Sequence, residues 1–139
     1  MFQKLIFLLV YVIILKSSLF SFPQKDSYIF KKINSSEGLS HNIVSSMIKD
    51  KKGFLWIGTY GGLNRYDGKE FRQWTMRDGL VFDAIRSLEV DKNNHVWIGT
   101  EFGLSRLREE EFQNFLSKDN SNLVGNDIRT IKETNSGEI

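Results

Sequence analysis

Four rings, those of His41, Tyr60, Phe82 and Phe102, are the side chains in this sequence best placed by type and spacing to bind something. Tyr60 and Phe102 each follow a Trp-Ile-Gly-Thr run and can stack on a ligand from the loop after it, with His41 or Phe82 reaching in from another loop. The competing role for each is packing. The other candidates are weaker. His41 stands before Asn42-Ile43-Val44 without the neighbouring acid or helical setting of a phospho-accepting histidine, so it reads as a loop residue. His95 occupies an apolar run, where a packing role is expected. Asp91-Lys92-Asn93 opens like a calcium loop, but Val96 stands where that loop needs glycine and Phe102 where it needs glutamate. It reads as a turn, and Glu109-Glu110-Glu111 reads as a solvated one. No Ser, His and acid share a spacing suited to a nucleophile, and no glycine-rich phosphate loop opens a helix. No catalytic residue, metal site or cofactor is therefore assigned.

The elements that must position these rings form a repeat. Leu55-Trp56-Ile57-Gly58-Thr59 returns as Val96-Trp97-Ile98-Gly99-Thr100 forty-one positions later. Neighbours travel at the same offset: Gly38-Leu39 with Gly79-Leu80, Asp50 with Asp91, Gly62-Leu63 with Gly103-Leu104, Arg65 with Arg106 and Phe71 with Phe112. A third copy opens at Asn122-Leu123 and carries Ile128, Ile131 and Gly137 at an offset of forty-three. That offset puts a third tryptophan one residue beyond Ile139, so the chain is expected to be the start of a longer protein. The repeats are drawn at residues 38–78, 79–121 and 122–139, the last truncated.

Each repeat resolves into four strand-sized runs with turns between them. In the first copy they are residues 43–49, 54–59, 63–66 and 70–75; in the others the first run is 84–90 and 127–132. The apolar positions of the first run are three apart (Val44 and Met47, Ile85 and Leu88, Ile128 and Ile131), which implies a strand buried on both faces. The turn after it is Asp50-Lys51-Lys52-Gly53, then Asp91-Lys92-Asn93-Asn94, then Thr134-Asn135-Ser136-Gly137. Gly53 and Asn94 tolerate positive φ, while Asp50 and Asp91 can accept from their own turn amides. Four strands per forty residues is the arithmetic of a propeller blade. The fold class is accordingly all-β: a partial β-propeller of two four-stranded blades and the start of a third, after an N-terminal signal helix. Trp56 and Trp97 would fill the space between blades, each burying roughly 150–250 Å², worth up to about 4–6 kcal/mol. Gly58 and Gly99 would leave room beside them for a neighbour's atoms.

Composition and charge narrow the function. The chain has 139 residues, no cysteine, one proline and 40% hydrophobic residues, and 19 basic against 17 acidic side chains. Interspersed charge near neutrality argues against nucleic acid. Lys4 and the apolar run at residues 5–15 make a helix of about 16 Å, short of the roughly 30 Å bilayer core, so residues 1–21 read as a signal peptide, with an uncleaved anchor as the alternative. Residues 22–37 form a polar lead-in able to supply one strand, and Asn34-Ser35-Ser36 fits a glycosylation sequon.

Together these motifs resemble the two-component regulator propeller repeat: Leu39, Asn42 and Val44, Asp50 with Gly53, Leu55 to Thr59, Gly61 to Asp67, and Phe71. The second copy departs from that pattern mildly at Asn94, His95, Ser105 and Leu107. The resemblance implies an extracytoplasmic sensor propeller, commonly seven-bladed, ahead of a membrane helix and an output module such as a histidine kinase. It implies an exported, periplasmic location and an unidentified ligand, a glycan among the candidates. Membrane attachment would come through the leader or through parts after Ile139, in a parent able to dimerise. An exported propeller that only binds proteins or glycans is the alternative, and a propeller enzyme the third. Two blades and a fraction leave edges unpaired, so residues 21–139 alone are expected to aggregate or oligomerise.

Overall fold

The computed structural model describes residues 29–119 and 123–139, and the expected signal peptide and residues 22–28 of the lead-in lie outside them. Eight strands form two antiparallel sheets of four. The first sheet holds β1 (Val44–Lys49), β2 (Leu55–Thr59), β3 (Gly62–Tyr66) and β4 (Phe71–Trp74) in that spatial order. The second repeats it with β5 (Ile85–Val90), β6 (Val96–Thr100), β7 (Gly103–Arg108) and β8 (Glu111–Phe115). Each blade is a meander, because every connection within it is a short turn. No helix of the described residues is long and apolar enough to cross a membrane.

The turn chemistry accords with the residue types. Gly53 has φ 93° and Asn94 φ 65°, both left-handed. Asp50 accepts from the amides of Lys52 and Phe54 and, at 2.9 Å, from the Trp56 indole N–H. Asp91 does the same for Asn93, His95 and, at 3.0 Å, Trp97. One carboxylate thus closes its turn and orients the tryptophan of the next strand. Each indole then stacks on the aromatic ring that ends its own blade: Trp56 on Trp74 at 5.4 Å, Trp97 on Phe115 at 5.7 Å.

The core lies between the blades. Trp56, Leu63 and Trp74 of the first pack with Ile85, Leu88, Val96, Ile98 and Leu107 of the second. Backbone of the first blade comes close because Gly58 has no side chain: a Cβ there would stand 2.5 Å from Ile85 Cγ2 and 3.5 Å from Leu88 Cδ1. Those contacts correct one expectation. Ile85 and Leu88, three apart, were expected on opposite faces, yet both meet Gly58 and so share a face. The ladder skips Arg86, pairing Ile85 with Thr100 and Ser87 with Gly99, and this β-bulge resets the alternation. β1 carries the same shift at Ser45. Burial on both faces of the first run also fails in the first copy. Val44 is 42% and Met47 62% exposed, whereas Ile85 is 0% and Leu88 6%, because only the second pair has a blade packed against it.

The third copy seats like the second without forming a ladder. Ile128 reaches Gly99 as Ile85 reaches Gly58, its Cγ2 standing 2.8 Å from where a Cβ would be, and its amide donates to the Thr100 carbonyl at 2.9 Å. The turn at 134–137 closes with a 3.0 Å bond from Gly137 N–H to the Thr134 carbonyl. Residues 127–132 nevertheless form no strand, contrary to expectation. In β1 and β5 the pairing residues come after the turn, and here the sequence supplies only Glu138 and Ile139 there.

The period also extends upstream of residue 38. A 3₁₀ turn at Ser35–Glu37 is closed by a capping box between Asn34 and Glu37, and its counterpart at Met76–Asp78 by one between Thr75 and Asp78. Across each turn an Asx oxygen accepts from a backbone amide: Asn42 from Ser35, Asp83 from Met76, Asn126 from Ser117. The last pair spans two more residues than the first two, which is where the offset grows from forty-one to forty-three.

Candidate functional site

All four candidate rings lie at one end of the blades, opposite the Asp50 and Asp91 turns. β1 runs away from His41 toward Asp50, and β2 runs back to Tyr60. β5 and β6 do the same for Phe82 and Phe102. The loops that carry His41 and Phe82 are pinned by polar groups of the third strand. Asn64, fully buried on β3, accepts from the Ser40 amide at 2.8 Å and donates to the Ser40 hydroxyl at 2.8 Å and the Ile57 carbonyl at 3.1 Å. On β7 the buried Ser105 hydroxyl takes the Val81 amide at 3.0 Å. Leu39 and Leu80, 4% and 3% exposed, anchor the same loops in apolar contacts. Rigid anchorage of this kind lowers the ordering cost of holding a ring ready for a ligand.

The structure pairs the rings by blade. His41 stacks near Tyr60 at 6.3 Å between centroids, with its Nδ1 accepting from the Ile43 amide at 3.0 Å. Phe82 meets Phe102 at 4.6 Å, tilted by 55°. Tyr60 is 41% and Phe102 56% exposed, so each pair presents one open ring supported by a half-buried one. Two residues missed in the sequence join the pairs. Arg86, the bulge residue of β5, donates to the Tyr60 hydroxyl at 3.0 Å and forms an ion pair with Glu101 at 2.5 Å. Its guanidinium also stands 5.6 Å from the Tyr60 ring centre. A bulge re-aims a side chain, which is how a charge in a core strand reaches the end of the sheet. The available signal was that Tyr60 and Glu101 share a repeat position while Ser45 and Arg86 share another. The edge therefore combines exposed aromatic faces with a cation, a carboxylate and an imidazole. Such a surface can stack on flat or ring-shaped ligands and hydrogen-bond their rims.

At the opposite end, three further assignments change. His95 does not simply pack, since its Nδ1 lies 2.9 Å from the Asp91 carboxylate. Phe54, at the equivalent place, instead lies under the Arg65 guanidinium at 4.5 Å. Burial tends to raise the Asp91 pKa, but the Trp97 indole, the His95 amide and the His95 ring outweigh it and hold the carboxyl below its ordinary value. The acidic run at 109–111 is more than a solvated turn. Glu109 and Glu110 make the two-residue turn between β7 and β8, with φ 47° and 76°, and Glu110 forms ion pairs with Arg65 at 3.4 Å and Arg72 at 2.5 Å on the other blade. Asn94 likewise reaches across, its side-chain oxygen taking the Lys51 amide at 2.8 Å. These contacts hold blade to blade and border a small cleft of about 100 Å³ lined by Asp50, Phe54, Arg65, Asn94 and Glu110. Among the described residues, no group of three or more His, Asp and Glu could hold a metal ion.

Comparison with known proteins agrees with the repeat. The two component regulator propeller family model matches residues 38–61 and 79–102. Each match runs from the glycine after a capped turn, Gly38 or Gly79, through the second strand of its blade. The chain is similar to the crystal structure of the extracellular domain of a protein described as a putative hybrid two component system from B. thetaiotaomicron. That similarity has a TM-score of 0.68 and 27% identity, over 78% of this chain and 15% of that one. A 49-residue stretch is 41% identical to histidine kinase P4 of Formosa agariphila, covering 35% of this chain and 4% of the kinase. This chain thus spans a small fraction of either relative's length.

Proposed function

We propose that this chain is part of the ligand-sensing propeller of an exported region of a membrane signalling protein, a two-component sensor kinase. The observation that carries the reading is the repeat itself, which matches the regulator propeller family in both copies and resembles an extracellular domain of a hybrid two-component system. The sensing surface is the edge formed by His41, Tyr60, Arg86, Glu101, Phe82 and Phe102, since the rings of His41 and Phe82, which back the open Tyr60 and Phe102, sit on loops pinned by Asn64 and Ser105. The ligand class suited to such rings is one with flat apolar faces and polar rims, a glycan among the candidates.

The test is a thermal-shift and calorimetric screen of the complete gene product against oligosaccharides cut from a panel of polysaccharides. A ligand that raises the melting temperature should lose at least about tenfold in affinity on Tyr60→Ala or Phe102→Ala, some 1.4 kcal/mol. A ligand whose affinity is untouched by both substitutions would move the sensing site to other blades. An exported propeller that only binds is the second reading, and a complete reading frame without membrane helix or kinase would favour it.

A further inference from the structure

The cation at the Tyr60 end of the edge is already engaged within the protein. Arg86 Nη1 donates to the Tyr60 hydroxyl at 3.0 Å, Nη2 lies 2.5 Å from Glu101 Oε1, and Nε is buried. A guanidinium receives a carboxylate or sulfate through two neighbouring N–H groups held as a fork. The end-on pair of Arg86 is engaged by Tyr60 and Glu101, and the side-on pair includes the buried Nε. The pairing is built into two turns. In the β6–β7 turn the Glu101 amide donates to the Ala84 carbonyl at 3.2 Å and the Phe102 amide to the fully buried Thr100 hydroxyl at 3.2 Å. The β2–β3 turn is fastened in the same way, the Tyr60 amide to the Ile43 carbonyl at 3.3 Å and the Gly61 amide to the Thr59 hydroxyl at 3.0 Å. Arg129, at the place of Arg86 in the third copy, is likewise paired, with Asp127 at 2.9 Å.

What remains for a ligand is hydrogen bonding without net charge. The Tyr60 hydroxyl accepts from Arg86 and so keeps its own proton to donate. Glu101 meets Arg86 through Oε1, which leaves Oε2 as an acceptor. His41 Nδ1 accepts from the Ile43 amide, so the neutral ring carries its proton on Nε2, a second donor. Phe82 and Phe102 add apolar faces and no charge. Two donors and an acceptor beside open rings match the hydroxyls and apolar face of an uncharged sugar. An acidic ligand would find no free fork on Arg86 and would face the Glu101 carboxylate, a like charge. Resting on the reading of this edge as the sensing surface, we propose that the site takes uncharged, hydroxyl-bearing rings, and that Glu101 sets this selectivity by occupying Arg86 and repelling acidic ligands.

The experiment is calorimetric titration of the complete gene product with length-matched pairs of oligosaccharides: galactose against galacturonic acid, mannose against mannuronic acid, glucose against glucuronic acid. The neutral member of at least one pair should bind about tenfold or more tighter than its acid, in a manner that requires Tyr60. Glu101→Gln frees Arg86 and removes the repulsion, so it should shift that ratio toward the acid by about tenfold or more. Arg86→Gln/Glu101→Gln should forfeit the gain, because the cation is then gone as well. An acid bound as tightly as its neutral partner, an unchanged ratio in Glu101→Gln, or a gain retained in the double variant overturns the selectivity assigned to Glu101 and leaves the sensing edge in place. Binding that Tyr60→Ala leaves untouched, or no binding of any member, overturns the sensing edge itself and this selectivity with it.

Discussion

Replacing Gly58 by alanine tests the contact on which the two blades depend. The added methyl would stand 2.5 Å from Ile85 Cγ2 and 3.2 Å from its Cβ, closer than real carbon atoms approach. Ile85 is 0% exposed and has no solvent side into which to swing. Overpacking of this kind costs about 1–3 kcal/mol, against which the lower backbone entropy of alanine returns roughly 0.5–1 kcal/mol. Ile85→Ala alone empties a buried site and should cost about 2–5 kcal/mol. The double variant is the informative one. Removing Ile85 Cγ2 takes away the atom that clashes, and the new methyl refills part of the void, so the pair should be less destabilised than the sum of the singles by about 1–2 kcal/mol. The assay is urea unfolding at submicromolar concentration, tracked by tryptophan emission, with all four members of the cycle compared. Gly68→Ala serves as the control: no atom lies within 4 Å of its Cβ position and φ is 102°, so it should show only the left-handed backbone cost of about 1–2 kcal/mol and no coupling to Ile85. If Gly58→Ala and Ile85→Ala add within about 0.5 kcal/mol, the glycine gap is not what lets the blades close.

Asp50→Ala removes one carboxylate from two turn amides and from the Trp56 indole. Leaving those donors without an acceptor should cost about 2–4 kcal/mol, read in the same urea assay, and Trp56 emission should shift even in folded protein. Glu109→Gly relieves a left-handed residue without touching the Glu110 ion pairs, so the melting temperature should rise, by an amount equivalent to about 0.5–1 kcal/mol. Acid unfolding should draw on Asp67, Asp78 and Asp91, all held below the ordinary carboxylate value. Asp67 is lowered chiefly by the amides of Glu70 and Lys69, Asp78 by the Thr75 amide and hydroxyl, and Asp91 by its hydrogen bonds working against burial. A depressed folded pKa gives stability that is complete above the unfolded value near 3.8 and is lost as pH falls through the folded one, so a pH series should be flat from about 5 to 7 and fall below about 4. Asp91→Asn should weaken that fall.

The sequence alone determined the period, the four runs of each of the first two repeats, the turn residues and the resemblance to the regulator propeller repeat, because these are local or recur at a fixed offset. Asp50 and Asp91, Gly53 and Asn94, and the rings at His41, Tyr60, Phe82 and Phe102 were all legible in that way. Tertiary structure decided which faces those residues meet. The spacing of Ile85 and Leu88 could not reveal a bulge at Arg86, since a register shift belongs to the pairing of β5 with β6 and leaves no mark in the alternation of one strand. Val44 and Met47 repeat the same positions yet remain exposed, because burial depends on a neighbouring blade and not on the strand itself. Arg86 with Tyr60, Glu110 with Arg65 and Asn94 with Lys51 join residues more than twenty-five positions apart across two blades. No periodicity encodes such pairs; the packing of one blade on the next creates them.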